Sequence, residues 1–199
     1  MDRRNFLGLG LAAPLASSLS FSAAADSSRP MSRAAKAGFL PNVPLLTHTG
    51  EKVHFYDDLI RDRTVLFNFF LVGCTEGRCP LATANLRQVQ DLLGDRMGRD
   101  VFFYSITLQP ETDSPQVLKE YAEAFAVKPG WLFLTGKKAD IELLRRSQGY
   151  VDNDPERDKD LTNHVGMARY GNDRLERWGA VSVSSQASNI ASTFTWLTS

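Results

Sequence analysis

The distribution of apolar residues predicts three buried strands in the middle of the chain. Residues 65–72 (VLFNFFLV) and 101–108 (VFFYSITL) are short, nearly continuous apolar runs. Runs of this kind form the central strands of sheets that are covered on both faces. A shorter run at residues 131–134 predicts a third strand. These strands suit the parallel centre of an α/β sheet.

The segments between these strands have the periodicity of amphipathic helices. After Pro80, apolar residues recur at spacings of four, three and four, at Ala82, Leu86, Val89 and Leu93. That spacing places them on one face of a helix that begins at Pro80. Ser114 and Pro115 predict the cap and first residue of a second helix. Residues 141–144 indicate a third helix.

Both ends of this pattern predict hairpins. Residues 43–55 contain the turn Thr49-Gly50-Glu51 between two apolar segments. After a polar loop at residues 150–161, we expect two strands at residues 164–170 and 174–178, joined by Gly171-Asn172-Asp173, and a final helix within residues 185–197. The order predicts a thioredoxin-like α/β fold: a central mixed sheet with flanking helices, an N-terminal hairpin and an inserted strand–helix unit.

The first 25 residues have the features of an export signal. Arg3-Arg4 followed by Phe6-Leu7 resembles the twin-arginine signal, and a short apolar stretch and three alanines at residues 23–25 follow. We therefore expect a cleaved signal at residues 1–25, a linker at residues 26–42, and one domain at residues 43–199. The protein would be periplasmic or otherwise exported. An uncleaved membrane anchor is the alternative interpretation.

The amino-acid composition limits the kinds of molecule that the protein is expected to bind. The chain has 199 residues, which suits one domain, and its 23 Lys and Arg balance its 23 Asp and Glu. This balance predicts no nucleic-acid partner, because a nucleic-acid groove needs a basic surface. Nothing in the sequence predicts an oligomeric state.

The two cysteines, Cys74 and Cys79, are the candidate chemical groups. Cys74 follows the end of a buried strand, and Cys79 precedes the helix that starts at Pro80. A helix N-terminus stabilises a thiolate, so we expect this effect at Cys79, with Arg78 adding to it. Export places the pair in an oxidising compartment. A working redox pair and a passive structural disulfide are both open, although so short a loop gains little stability from a bridge.

A third candidate ligand is His164. Two thiolates and one imidazole make a soft site that suits Cu(I). Of the three histidines, His48 and His54 lie in the N-terminal hairpin region, where we expect surface positions, whereas His164 begins a strand of the closing hairpin. Met31 and Met167 are further thioether candidates, but methionine more often fills a core or linker.

Several segments resemble the Sco/SenC family of copper-binding, thioredoxin-like proteins that assist cytochrome c oxidase assembly. They are the Gly73-to-Pro80 cysteine loop, residues 105–115 (SITLQPETDSP), residues 131–136 (WLFLTG) and Asn163-His164. The chain departs from the family pattern at three points. Four residues separate the cysteines where three are usual, Thr75 replaces a proline, and Gln109 replaces an acidic residue.

The resemblance implies that Cys74, Cys79 and His164 are copper ligands and that the two cysteines also form the redox pair. The cofactor would be copper, as Cu(I) or in a second state as Cu(II). The protein would be a metallochaperone that delivers copper, or maintains cysteine redox state, for assembly of the oxidase copper site. Its partner would be a copper-receiving oxidase subunit, met through a transient contact with a membrane protein.

Two other functions stay open at this point. A thiol–disulfide oxidoreductase would use the pair on another exported thiol protein, although the sequence lacks the two-residue spacing of the usual redox motif. A binding domain would use the fold without metal or redox chemistry. Inert thiols with a pKa near the ordinary value of about 8.5 would favour the binding domain.

Overall fold

The computed structural model describes residues 30–74 and 77–198, and these residues are organised around one mixed β-sheet. The strands are β1 (Pro44–Thr47), β2 (Lys52–His54), β3 (Thr64–Phe70), β4 (Val101–Thr107), β5 (Trp131–Gly136), β6 (Met167–Asn172) and β7 (Arg177–Ser182). Their order in the sheet is β2-β1-β5-β4-β3-β6-β7. The β3–β4 and β4–β5 pairs are parallel, and the other four are antiparallel. The predicted thioredoxin-like fold is confirmed.

The centre of the sheet is buried on both faces, as the apolar runs predict. All seven residues of β3 and all seven of β4 are buried. The helices are α1 (Arg33–Lys36), α2 (Arg78–Leu93), α3 (Pro115–Ala124), α4 (Lys138–Ser147), α5 (Pro155–Asp158) and α6 (Ala187–Leu197). Phe103 packs against Phe194 of α6, with ring centroids 5.8 Å apart. The central strands β3 and β4 are thus covered on both faces, which explains their continuous apolar sequences.

The predicted N-terminal hairpin and the predicted start of α3 are both confirmed. β1 pairs antiparallel with β2 around a turn in which Gly50 has a φ of 87°. The Ser114 side chain accepts a hydrogen bond from the Val117 amide, and Pro115 is the first residue of α3. Local capping and turn chemistry set both features.

The closing hairpin is displaced from its predicted position. β6 runs through Gly171 and Asn172, and the turn lies at residues 173–176. Gly171 is a strand residue because the Trp178 ring lies over it: a Cβ there would be 2.2 Å from Trp178 Cε3. Asp173 is buried and accepts a hydrogen bond from the Tyr56 hydroxyl at 3.2 Å. Close packing, and not turn geometry, selects glycine at position 171.

Two predicted irregular segments contain structure. The loop at residues 150–161 includes α5, and His164 ends a 3₁₀ helix (Leu161–His164) instead of beginning a strand. Within the predicted linker, Ser32 caps α1 and Leu40 is fully buried, so residues 30–42 pack on the domain. The predicted export signal lies outside the described residues. Within residues 30–74 and 77–198, no helix combines the length and apolar character required for a membrane crossing.

Candidate metal and redox site

The two cysteines lie at the carboxyl end of β3, where the strand meets α2. Cys74 is half-buried, whereas Cys79 is buried in the first turn of α2, which begins at Arg78 and not at Pro80. Both are free thiols, and their side chains are hydrogen-bonded to each other. The Leu71 amide donates a hydrogen bond to Cys79 Sγ at 3.4 Å. The structure therefore brings the predicted pair together in reduced form.

Glycine geometry and a buried carboxyl group shape the loop that carries Cys74. Gly77 precedes α2 with a φ of 71°, a conformation that favours glycine, and its amide lies 3.4 Å from the Cys74 carbonyl. On the other side, Asp113 Oδ2 accepts hydrogen bonds from the Val72 amide at 3.3 Å and from Thr107 Oγ1 at 2.5 Å. Asp113 thus ties the chain just before Cys74 to the end of β4.

The environment of Cys79 favours a neutral thiol. Burial, followed by the hydrogen bond with Cys74, raises the pKa of Cys79 to about 12. Arg78 acts in the opposite direction and does not outweigh burial. The sequence-based expectation of a stabilised thiolate at Cys79 is therefore wrong for the reduced protein. Desolvation of the charged form outweighs the two influences that favour the thiolate, which are the hydrogen bond from the Leu71 amide and the positive charge of Arg78.

A polar pair lies close to the thiols. The Tyr121 hydroxyl is 3.0 Å from Thr83 Oγ1, and burial raises the pKa of Tyr121 to about 12. Charges on Cys79 and Cys74 would raise this pKa further, which places the phenol within electrostatic reach of the thiols. Tyr121 thus remains a neutral hydrogen-bonding group beside the cysteines.

His164 is buried in a network of charged side chains. Its Nε2 lies 3.1 Å from Arg145 Nη1 and 3.1 Å from the main-chain oxygen of Asp158. Arg145 is paired with Asp158 through two hydrogen bonds of 2.7 and 2.8 Å. This pairing holds the pKa of the Asp158 carboxyl well below its usual range. His164 therefore occupies a defined position set by its neighbours.

The His164 segment adjoins the cysteine helix without forming a closed three-residue cluster with the thiols. Arg78 Nη2 lies 3.3 Å from Thr162 Oγ1, which joins the start of α2 to the 3₁₀ helix that ends at His164. In the part of the chain that the structure describes, no three His, Cys, Asp or Glu side chains are placed to hold a metal ion. The structure pairs Cys74 with Cys79 and places His164 in an adjacent segment.

The remaining candidate residues lie in separate environments. His48 is half-buried, its Nδ1 accepts a hydrogen bond from the Phe133 amide at 3.2 Å, and burial lowers its pKa. His54 is exposed beside Asp58. Met31 and Met167 are 38% and 41% exposed. His54 has the expected surface position, whereas His48 is more buried than expected because it packs edge-on against Phe133.

Three residues that shape the site are missed by sequence reasoning: Asp113, Arg145 and Asp158. Asp113 belongs to the segment at residues 105–115, but the pattern there indicates only a helix cap. Arg145 is on the amphipathic helix α4, where an arginine is expected to face solvent, yet it is 2% exposed. Only the fold shows that the partly buried carboxylate of Asp158 faces Arg145.

Comparison with known proteins identifies relatives by sequence pattern and by fold. The model of the SCO1/SenC family matches residues 34–176. No curated protein sequence matches the chain. A SCO1/SenC family lipoprotein from Bacillus anthracis is similar with a TM-score of 0.67 at 22% identity, over 80% of this chain and 95% of that one.

Two further solved structures share the fold. Arabidopsis thaliana ScoI with copper bound has a TM-score of 0.63 at 17% identity, over 80% of this chain and 98% of that one. BsSco, a member of the Sco family of cytochrome c oxidase assembly proteins in which a disulfide switch was identified, has a TM-score of 0.61 at 22% identity. That match covers 79% of this chain and 92% of BsSco.

Proposed function

Because the chain belongs to the SCO1/SenC family, we propose that it binds Cu(I) through Cys74, Cys79 and His164. It acts as an exported accessory protein in assembly of the copper site of cytochrome oxidase. Two thiolates and one neutral imidazole form a soft donor set, which prefers Cu(I) over harder divalent ions. Cu(II) is the second oxidation state for which the same residues provide donors.

The observation that carries the proposal is the reduced cysteine pair. The two thiols are hydrogen-bonded to each other at the end of β3, so their sulfurs are close enough to share one ion. The hydrogen bond from Arg78 to Thr162 supports recruitment of His164, because it anchors the neighbouring segment to the helix of Cys79. Copper binding would bring His164 of this segment to the two sulfurs.

The related proteins support copper as the bound metal and a location outside the cytoplasm. ScoI of Arabidopsis thaliana has been solved with copper bound, and BsSco belongs to a family of cytochrome c oxidase assembly proteins. The Bacillus anthracis relative is a lipoprotein, which agrees with a role outside the cytoplasm. We infer that the present chain is periplasmic, is exported by its twin-arginine-like segment, and delivers copper to an oxidase subunit.

Proton release accompanies binding in this proposal. At neutral pH the Cys79 thiol holds its proton, since burial raises its pKa to about 12. Ligation by sulfur requires the thiolate, so the ion must displace that proton. Copper affinity should therefore rise with pH across the neutral range, and a neutral Cys79 protects the empty site from oxidation.

Titration with Cu(I) in competition with a chromophoric chelator tests the proposal. We expect one copper per monomer in the reduced wild type and a large loss of affinity in Cys74→Ser, Cys79→Ser and His164→Ala. His54→Ala is a matched control, since the His54 side chain is exposed and lies beside Asp58. Failure of the reduced wild type to retain Cu(I) against the chelator would reject the proposal. Equal affinity in wild type and His164→Ala would remove His164 from the ligand set.

A second candidate function, thiol–disulfide exchange, is favoured by the different exposure of the two thiols. Cys74 is half-buried and therefore partly accessible to solvent, whereas Cys79 is buried. The Cys74 thiolate would attack a disulfide of an exported protein and release one partner thiolate. Cys79 would then attack Cys74 Sγ and release the second. The partner gains two electrons, and the Cys74–Cys79 pair is oxidised.

Trapping of mixed disulfides distinguishes this function from copper delivery. With Cys79→Ser, exchange should stop at a mixed disulfide through Cys74, and His164→Ala should not change the yield. If no adducts are trapped and the wild type still binds Cu(I), the exchange function is rejected and copper delivery is the function that remains.

A further inference from the structure

Arg145 directs every one of its N–H groups at an oxygen atom. Its side chain is 3% exposed. Nε donates to Glu142 at 2.8 Å, and Nη2 donates to Glu142 at 2.7 Å and to Asp158 at 2.8 Å. Nη1 donates to the Tyr150 carbonyl at 2.5 Å and to Asp158 Oδ1 at 2.7 Å. A guanidinium group has five N–H donors, so all of them are used.

This count determines the role of His164 Nε2. The nitrogen lies 3.1 Å from Arg145 Nη1, but no Arg145 hydrogen is left to donate to it. The other neighbours of Nε2 are acceptors, namely the Asp158 main-chain oxygen at 3.1 Å and Asp158 Oδ1 at 3.4 Å. Nε2 therefore carries a hydrogen and donates it to Asp158. In the neutral ring, the lone pair for a metal then belongs to Nδ1.

We propose that Arg145 and Asp158 are positioning residues for His164, which hold the ring with its proton on Nε2 and leave Nδ1 as the copper-binding nitrogen. The inference rests on the proposed function and deepens it. Metal-binding histidines typically donate their other N–H to a carboxylate or a main-chain carbonyl, which fixes the tautomer and the ring orientation. Nδ1 makes no hydrogen bond to any residue among 30–74 and 77–198.

The same network fixes the backbone that carries His164. Asp158 Oδ1 also accepts a hydrogen bond from the Asp152 amide at 2.9 Å, and Arg145 holds the Tyr150 carbonyl. Arg145 thereby connects α4 to both ends of the segment at residues 150–158. Loss of the guanidinium group would release this segment together with the acceptor of His164 Nε2.

The tautomer can be measured without copper. Two-bond ¹H–¹⁵N correlation spectra of the reduced, metal-free wild type should show His164 as one tautomer with its proton on Nε2. A proton on Nδ1, or a mixture of the two tautomers, would overturn the inference. This measurement needs no metal, so it tests the tautomer of His164 independently of copper binding. Failure of the wild type to bind Cu(I) would reject the proposed function, whereas the wrong tautomer would reject the positioning role of Arg145 and Asp158.

Variants test the effect on copper. We expect Arg145→Gln and Asp158→Asn to lower Cu(I) affinity by about 10- to 100-fold, and no further loss when either is combined with His164→Ala. Arg146→Gln is the matched control: its side chain is 53% exposed and contacts Glu142 and Asp158. It should leave affinity unchanged. Unchanged or tighter binding in folded Arg145→Gln or Asp158→Asn would contradict a positioning role.

Discussion

The buried carboxyl group of Asp113 should be a major source of stability at the base of the cysteine loop. Asp113 is 2% exposed, and its Oδ2 accepts hydrogen bonds from the Val72 amide and from Thr107 Oγ1. In Asp113→Ala both donors lose their partner. An unsatisfied buried donor costs about 1–3 kcal/mol. Since Val72 is only half-buried, water will satisfy part of the loss, and we expect about 3 kcal/mol of destabilisation.

Urea unfolding of the reduced protein, followed by tryptophan fluorescence, measures this effect. The midpoint should fall with an unchanged slope, and the melting temperature should fall by about 6–12 °C for a domain of this size. Asp113→Asn keeps an acceptor oxygen and should lose less. Asp95→Ala is the control, because Asp95 is exposed on the surface. A loss below about 1 kcal/mol in Asp113→Ala would refute the reasoning.

Three further outcomes are expected. Gly77→Ala should lose about 1–2 kcal/mol of unfolding free energy, because Gly77 has a φ of 71°. Gly73→Ala is the control, since a Cβ there would meet a Gln109 side-chain oxygen at 3.9 Å. Equal loss in the two variants would contradict backbone conformation as the cause. Iodoacetamide at neutral pH should alkylate Cys74 before Cys79, as read by mass spectrometry, because burial raises the pKa of Cys79 to about 12; equal rates in folded protein would be inconsistent with that burial. Oxidation to the Cys74–Cys79 disulfide should stabilise the folded protein by about 2 kcal/mol, because the bridge closes a loop of six residues. A much larger gain in urea unfolding would contradict loop closure as the source of the stabilisation.

Much of the fold is readable from the sequence because local and burial signals agree. The continuous apolar runs predict β3 and β4, since strands covered on both faces need no polar side. Ser114-Pro115 predicts the start of α3 through capping chemistry alone. The sequence pattern misplaces the closing hairpin because glycine and asparagine at positions 171–172 are typical of a turn. The Trp178 ring that requires glycine at position 171 comes from the partner strand.

The site is only partly readable from the sequence. Neighbouring positions at a strand end and a helix start bring Cys74 and Cys79 together, and this much follows from the order of elements. The thiol pKa does not follow, because burial depends on the whole core. The surroundings of His164 depend on Arg145, which lies 19 residues away in the chain. Sequence patterns carry no signal for such a long-range polar contact.

X-ray absorption spectroscopy of the Cu(I)-loaded protein tests the central claim most directly. The proposed ligand set predicts one copper per monomer with two sulfur donors and one nitrogen donor, and loss of the nitrogen signal in His164→Ala. A copper coordinated only by sulfur in the wild type, or a spectrum unchanged by His164→Ala, would contradict the assignment of Cys74, Cys79 and His164 as the copper site.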